Sequence, residues 1–257
     1  VPINGLNYSP HPDLMLEQPN VYLSMGLTAE NVAKKFNLSR KEQQEFAIKS
    51  HANAAKAQTS KSFHDEITII KKNDIQVSED GGIRPNTSQE ILDNLKLVFD
   101  ENGTITAGTA SPLTDGAAAT LICEEEYAKA NKLPILARIK STAVQGCPPE
   151  LMGLGPINAS RKALNRANLT IDDIDVVELN EAFASQSIAC IQELNINPDI
   201  VNMEGGAIAL GHPLGATGTR ITAKAASLMV KKNKKYALAT QCIGLGQGIA
   251  TVLERVE

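Results

Sequence analysis

The sequence predicts an α/β fold around a largely buried sheet, on three observations. From about residue 114 onward, short apolar runs alternate with helical patterns, as strands interleaved with helices do. Glycine clusters at 201–218 and 244–248 punctuate those runs. The core must be aliphatic, because only 4% of the 257 residues are aromatic, none is Trp, and 42% are apolar.

Residues 1–27 carry Pro2, Pro10, Pro12 and Pro19 with Gly5 and Gly26, which predicts a loop. A short helix over Ala29–Lys35 should follow Thr28. Ser39 and Glu42 have the spacing of a capping box. The helix they start is expected to reach Gln58 and pack through Phe46, Ala47, Ser50, Ala54, Ala55 and Ala57. A strand is expected over 66–70, then a polar, turn-rich stretch over 74–103 with one short helix near 88–95. Thr120-Leu121-Ile122-Cys123 is expected as a buried strand and Glu124–Asn131 as a helix. Further strands are expected over 135–144, 174–179, 236–240 and 249–255, and further helices over 160–168, 181–194 and 219–232.

The bulk properties narrow the function. Net charge is -4, which gives no electrostatic reason to expect nucleic acid. Lys231, Lys232, Lys234 and Lys235 read as the solvated end of a helix. The four cysteines, at 123, 147, 190 and 242, form no CxxC pair, so no metal is expected. Free thiols and a reducing, cytoplasmic compartment are expected. No apolar run approaches a membrane span. Val1-Pro2-Ile3-Asn4-Gly5 is neither a signal peptide nor an initiator methionine start. It reads as a cut through a longer chain, with any targeting segment upstream.

Three segments carry chemistry. In Glu204-Gly205-Gly206-Ala207-Ile208-Ala209-Leu210-Gly211-His212-Pro213-Leu214-Gly215-Ala216-Thr217-Gly218, five glycines surround one histidine. Glycine lets backbone approach a ligand closely, and this favours a ligand-facing His212 over one that merely bonds backbone. No Gly-Lys-Ser/Thr follows, so the segment is not a P-loop. In Cys242-Ile243-Gly244-Leu245-Gly246-Gln247-Gly248, the spacing is not a dinucleotide fingerprint. Most free cysteines are small buried hydrophobes, but one at a strand end facing a glycine turn can move a proton. In Asn180-Glu181-Ala182-Phe183, Asn180 would serve as a helix N-cap; alternatively its amide orients a water or a carbonyl oxygen.

Taken in order, these segments resemble the three C-terminal active-site motifs of the thiolases. Met25-Gly26-Leu27-Thr28-Ala29-Glu30-Asn31 and Thr106-Ala107-Gly108-Thr109-Ala110-Ser111 resemble that family's coenzyme A-binding loop domain. Met152-Gly153-Leu154-Gly155-Pro156 resembles its Met-Gly-x-Gly-Pro segment. The C-terminal run Leu238–Val256 is similar to the thiolase subunit of bacterial fatty-acid β-oxidation complexes. Biosynthetic members usually carry His where this chain has Ser24, and a third glycine where it has Leu245. Both differences favour the degradative branch over the acetoacetyl-CoA branch.

The resemblance implies the layered αβαβα thiolase fold, here as the loop domain plus the C-terminal half. It implies thiolytic cleavage of 3-ketoacyl-CoA by CoA, through an acyl-cysteine. No cofactor is implied beyond coenzyme A as substrate. His212 would activate the nucleophilic thiol and help bind the enolate oxygen beside a water held by Asn180. Cys242 would be the acid/base, and the backbone N–H of Gly244 would serve an oxyanion hole. Coenzyme A contacts would fall on Met25, Arg84, Phe99, Ala107 and Ser111, with Met152, Ala182 and Phe183 shaping the acyl end. Arg84 would meet the phosphate-bearing end, although a solvated loop charge would also account for it. A homo-oligomer is implied, and a hydratase/dehydrogenase subunit is a further candidate partner.

One departure is large. The family's nucleophile sits in Cys-x-Ser-Gly or Cys-Gly-Ser-Ser, and none of the four cysteines has that context. Residues 1–113 are therefore expected to be a loop domain. Residues 114–134 would be a segment returning to an absent first half, and 135–257 the second half. Apolar surface meant for the absent half should be bare, and the isolated chain is expected to self-associate or find a partner. A non-catalytic coenzyme A-binding or assembly module stays open, as does a separate chain that supplies the nucleophile.

Overall fold

The computed structural model describes residues 10–256. The expected loop at 1–27 lies partly outside them, as does the reading of the start at Val1. Within the described part, the loop expectation is corrected. Pro12 opens helix α1, Pro12–Glu17, and Pro19 opens a 3₁₀ turn, Pro19–Tyr22. Proline is at home in a first helical turn, where its missing N–H costs nothing. Helix α2, Met25–Lys35, starts earlier than expected because Ser24 caps it, its Oγ accepting from the Leu27 amide.

The capping box forms as read: the Ser39 hydroxyl accepts from the Glu42 amide, and the Glu42 carboxylate accepts from the Ser39 amide at 2.7 Å. The Ser39 hydroxyl also donates to that carboxylate, at 2.6 Å, and this bond together with the one from the Ser39 amide holds the Glu42 carboxyl below its usual range. Helix α3 runs Arg40–Thr59. It buries Ala47, Ser50, Ala54 and Ala57 as expected, together with Gln43, Gln44 and His51, while Phe46 and Ala55 are only half-buried.

The strand expected at 66–70 is displaced. Residues 67–69 lie outside any strand, and β1, Ile70–Lys72, pairs with β2, Ile75–Val77, as an exposed antiparallel hairpin. The reason lies on the helix opposite. Lys231 donates to Ser62 O at 2.7 Å and to Glu66 at 2.8 Å, and Lys224 reaches Glu66 at 2.9 Å. That grip holds 62–66 as turns, and Lys231 is bound where a solvated helix end was expected. Helix α4, Gln89–Asp93, lies inside its expected range.

The buried strand expected at 120–123 is not there. Residues 117–124 lie outside any helix or strand and join no β-ladder, Leu121 and Ile122 are 74% and 71% exposed, and Cys123 is exposed. A strand needs a ladder partner, and the described residues supply none. Helix α5, Glu125–Ala130, follows as expected.

The remaining elements build one sheet and its covers: β3 Arg138–Gly146, α6 Gly155–Ala167, β4 Val176–Leu179, α7 Ala184–Leu194, α8 Ala207–Leu210, α9 Thr217–Lys231, β5 Tyr236–Ile243 and β6 Gln247–Glu254. The strand order is β3-β6-β5-β4, with β4 and β5 parallel and the other two pairs antiparallel. Val177 and Leu179 of β4 and Leu238 of β5 pack with α6 and α7. Val176, Ala237 and Ala239 point the other way, toward Ile221, Ala225, Leu228 and Met229 of α9. This alternation is what a strand period of two demands of a sheet covered on both faces. Helices α2 and α3 form an outer layer on the α7 side, through Val32, Ala33 and Ala189 and through Ala47, Ala184 and Ile208.

Helix α6 starts against β6 at a backbone-to-backbone contact. A Cβ on Gly248 would lie 2.0 Å from the Gly155 carbonyl carbon, and one on Gly155 would lie 2.2 Å from Gln247 O. Gly248→Ala is expected to destabilise the chain by about 1–3 kcal/mol, the usual cost of overpacking, as read by urea unfolding; an unchanged midpoint would contradict the contact. The bare Leu121 and Ile122 lead to a second expectation. The 257-residue chain should self-associate in sedimentation experiments, and a monodisperse, cooperatively melting monomer would contradict it.

Candidate functional site

The site lies at the carboxyl ends of the parallel pair β4 and β5, where open α/β sheets place their ligand crevices. The Asn180 amide donates to Thr240 O at 3.0 Å, one step beyond the last paired residues of β4. Asn180 is fully buried. It does not cap α7, since that helix starts at Ala184 with Phe183 in the cap position. Of the two readings of Asn180, the N-cap is therefore excluded. Its Nδ2 lies 3.3 Å from Nε2 of His212.

His212 is delivered by the glycine segment. Gly211 has φ +94°, and a Cβ there would lie 2.2 Å from Thr114 Oγ1. The His212 amide donates to Pro112 O at 3.3 Å. On the ring, Nδ1 lies 2.7 Å from Thr217 Oγ1, and that hydroxyl donates its one proton to Pro213 O at 3.0 Å. Thr217 must then accept from the ring, which puts the imidazole proton on Nδ1 and leaves the Nε2 lone pair toward Asn180. Burial, and then the charge of Arg220, lower the His212 pKa to about 4. The ring is neutral at neutral pH, with a free basic nitrogen on the Asn180 side.

Glu181 braces this arrangement from within. Its carboxylate, 1% exposed, accepts from the Ser50 hydroxyl at 2.6 Å, from Asn202 Nδ2 at 2.8 Å and from the Ile208 amide at 3.1 Å. Ser50 in turn accepts from the Gly206 amide at 3.1 Å. A Cβ on Gly206 would overlap the Glu181 carboxyl, at 2.1 Å. Burial raises the Glu181 pKa while its three donors oppose the rise.

Cys242 lies near the end of β5, opposite Gly248. It packs against an apolar cluster of Ala29, Ile105, Ala182 and Phe183, with Met25 and Ala110 alongside. Burial pushes its thiol up to about 12, so it is a protonated donor at neutral pH. No hydrogen bond joins it to His212 among the described residues; both adjoin the Asn180–Phe183 segment, one through Asn180 and the other through Ala182 and Phe183.

The other expected residues divide. Met25, Ala182 and Phe183 share the Cys242 cluster, and Phe99 meets Phe183 edge-on at 6.0 Å. Ser111 joins them through two bonds to Ala182 O, from its amide at 3.0 Å and its hydroxyl at 3.1 Å. Gly244 opens the turn between β5 and β6. Met152 is buried in a 3₁₀ segment packed against α2, outside that cluster. Ala107 starts the exposed end of another 3₁₀ turn, and Arg84 is exposed on a loop. A cavity of about 230 Å³ between α3 and α7 has neither His212 nor Cys242 in its wall.

Sequence reasoning missed Thr217, Ser50, Asn202 and Arg220, and gave Glu181 no role. Thr217 stands in the same glycine segment as His212, but nothing there marks its hydroxyl as the ring's partner, and Ser50 lies 131 residues from the carboxylate it serves. Cys147 and Cys190 are held on backbone carbonyls, Cys190 on Gly153 O at 3.4 Å, and burial raises both thiols.

Two family models match the chain, the thiolase N-terminal domain over residues 11–126 and the thiolase C-terminal domain over 133–255. A 3-ketoacyl-CoA thiolase of Shewanella loihica is 51% identical over 99% of this chain and 68% of its own length. One from Shewanella denitrificans is 49% identical over 100% of this chain and 68% of its own. Among solved structures, the acetyl-CoA acetyltransferase of Bacillus anthracis superposes with a TM-score of 0.88 at 39% identity, over 91% of this chain and 60% of that one. Human mitochondrial 3-ketoacyl-CoA thiolase in complex with CoA gives 0.87 at 36% identity, over 98% of this chain and 66% of that one. The chain thus spans about two thirds or less of the length of these proteins.

The ring chemistry of His212 is directly measurable. Nitrogen-15 NMR is expected to give an Nδ1–H tautomer at neutral pH that titrates near pH 4. Thr217→Val should populate the Nε2–H tautomer, and Arg220→Met should raise the midpoint. An Nε2–H ring in the unaltered chain would contradict the assignment.

Proposed function

The chain belongs to the thiolase family, and from that premise we propose that it forms the enolate-stabilising and coenzyme A-binding part of a 3-ketoacyl-CoA thiolase of fatty-acid β-oxidation. The observation that carries the proposal is the neutral imidazole of His212, oriented by Thr217 on one nitrogen and facing Asn180 with the other. The Shewanella relatives' name and the CoA-bound human relative support the substrate class. Ser24 and Leu245 support the degradative branch over the acetoacetyl-CoA branch.

The steps follow from the protonation states. A nucleophilic thiol gives its proton to Nε2 of His212 and attacks the 3-keto carbon. The C2–C3 bond then breaks, leaving an acyl-cysteine and the acetyl-CoA carbanion. His212 and the water held by Asn180 stabilise its enolate oxygen, and the Cys242 thiol protonates its carbon. The Cys242 thiolate next takes the proton of free coenzyme A, whose sulfur attacks the acyl-cysteine. Collapse releases the shortened acyl-CoA, and the nucleophile recovers its proton from His212. The Gly244 amide serves the tetrahedral intermediate of acyl transfer. Pantetheine and acyl contacts fall on Met25, Phe99, Ala107, Ser111, Met152, Ala182 and Phe183, and Arg84 meets the phosphates.

The same reading divides the chain into a loop domain (1–113), a returning segment (114–134) and a half-domain that begins just before β3 (135–257). The bare Leu121 and Ile122 support an interface on the returning segment, either with a first half-domain or with another subunit. A homo-oligomer, a hydratase/dehydrogenase partner and a cytoplasmic location belong to this reading; the four free thiols are compatible with that location. No helix among the described residues is long and apolar enough to cross a membrane.

None of the four cysteines carries the nucleophile context, which favours a second reading of the 257 residues as a non-catalytic coenzyme A-binding module. One experiment separates the two. The chain alone is expected to bind CoA in calorimetry without forming an acyl-enzyme from a 3-ketoacyl-CoA. A polypeptide bearing the family's nucleophile motif should restore thiolysis, and His212→Ala should then lower acyl transfer on the order of a hundredfold or more. No restoration in any combination would favour the module, and wild-type rates in the variant would remove His212 from the mechanism.

A further inference from the structure

We propose that His51 is a positioning residue that latches the loop carrying Arg84 to α3, and that the latch holds only while its imidazole is unprotonated. The functional consequence rests on the reading of Arg84 as a coenzyme A contact; the latch itself does not.

The loop between β2 and α4 has no secondary structure of its own, and most of its residues are exposed. It is nonetheless fixed at defined points. Gln58 of α3 donates to the Glu79 carboxylate at 2.9 Å. Gly82 lies against α8, where a Cβ would come within 2.8 Å of Ala209 O. The Arg84 amide donates to His51 Nδ1 at 3.2 Å. The Arg84 carbonyl accepts from the Thr87 amide at 3.1 Å and from the Thr87 hydroxyl at 2.8 Å. The backbone of Arg84 is thus held on both sides, while its guanidinium makes no ion pair among the described residues and is exposed. This is the arrangement a mobile phosphate-binding side chain needs if its base is to stay aimed.

His51 is well placed for that task. It is 6% exposed, and it adjoins Ser50, which holds Glu181 and Gly206. One turn of α3 therefore fixes both the His212 segment and the Arg84 loop. Since Nδ1 accepts, the ring proton sits on Nε2. Protonation would set an N–H against the Arg84 N–H and a cation beside the guanidinium. Burial first, and then the charge of Arg84, lower the His51 pKa. The bond is present above the ordinary histidine range and is lost as pH falls below it.

Two carboxyls on this side, Glu181 and Asp80 of the loop itself, are also raised by burial, and the His51→Asn variant separates their titration from that of the imidazole. Among the elements packed on α3, α8 and the Ala107–Thr109 turn carry no charge, Glu90 and Asp93 of α4 are exposed, and Glu193 lies at the exposed far end of α7. The buried carboxylate on this side, Glu181, is engaged by Ser50. On the loop itself, Glu79 is engaged by Gln58. Asp80 faces Arg220 and Lys224.

The test combines hydrogen–deuterium exchange over residues 80–88 with CoA titration calorimetry, on the full chain at pH 7.5 and 5.0. His51→Leu is expected to speed exchange in 80–88 about tenfold and to weaken CoA binding by a similar factor, the equivalent of one net hydrogen bond. His51→Asn, whose Oδ1 replaces Nδ1 as acceptor, should restore wild-type exchange at pH 7.5 and abolish the extra opening at pH 5.0. Unchanged exchange in the Leu variant, or full acid-induced opening in the Asn variant, would overturn the latch; the Asn arm decides alone if the Leu variant does not fold. Faster exchange with unaltered CoA affinity in both His51→Leu and Arg84→Ala would keep the latch and overturn the role of Arg84.

Discussion

The buried carboxylate of Glu181 is the constraint on which the site depends. A charge taken out of water must have its lone pairs filled, and three elements fill them here. Ser50 comes from α3, Asn202 from the loop beside β4, and the Ile208 amide from the start of α8. Each donor is useful only at hydrogen-bond distance, so the carboxylate fixes the outer helical layer, the sheet edge and the glycine segment relative to one another. Asn202 adds a second tie, accepting from the Leu179 amide and donating to its carbonyl. Asn180 and His212 meet because the chain on either side of each is held in this way.

The layering explains why the chemistry is divided between two surroundings. His212 lies among polar partners, with Thr217 at 2.7 Å, and desolvation keeps it neutral. Cys242 lies against Ala182, Phe183 and Ile105, and desolvation keeps it protonated. The same physical term thus sets a base without its proton and an acid with one. The strand-to-helix segment 180–183 carries both surroundings within four residues, with Asn180 turned toward the imidazole and Ala182 and Phe183 toward the thiol.

Much of this was legible in the sequence. The capping box at Ser39 and Glu42, the alternation that makes β3 to β6, and the glycine segment around His212 are local signals, and they hold. Failures came where a distant partner decides. Thr120–Cys123 has strand composition, but composition cannot supply a neighbouring strand, and the segment lies bare. Residues 66–70 look like a strand, yet Lys224 and Lys231 of α9 hold Glu66 and shift the hairpin outward. Asn180 has the chemistry of an N-cap, and only the folded chain reveals that α7 starts at Ala184. Thr217 and Ser50 were invisible because a hydroxyl's partner is chosen by tertiary structure.

The contact between Gly155 and Gly248 bears on how such a chain can change over time. Each residue's missing side chain is the room taken by the other's main chain. A clash between two side chains can be relieved by shrinking the opposing one, but here the opposing atoms are carbonyl and amide groups that every amino acid has. Neither position can therefore be rescued by substitution at the other. The junction of the sixth helix with the last strand is closed to stepwise drift, and sequence variation has to be absorbed elsewhere in the half-domain.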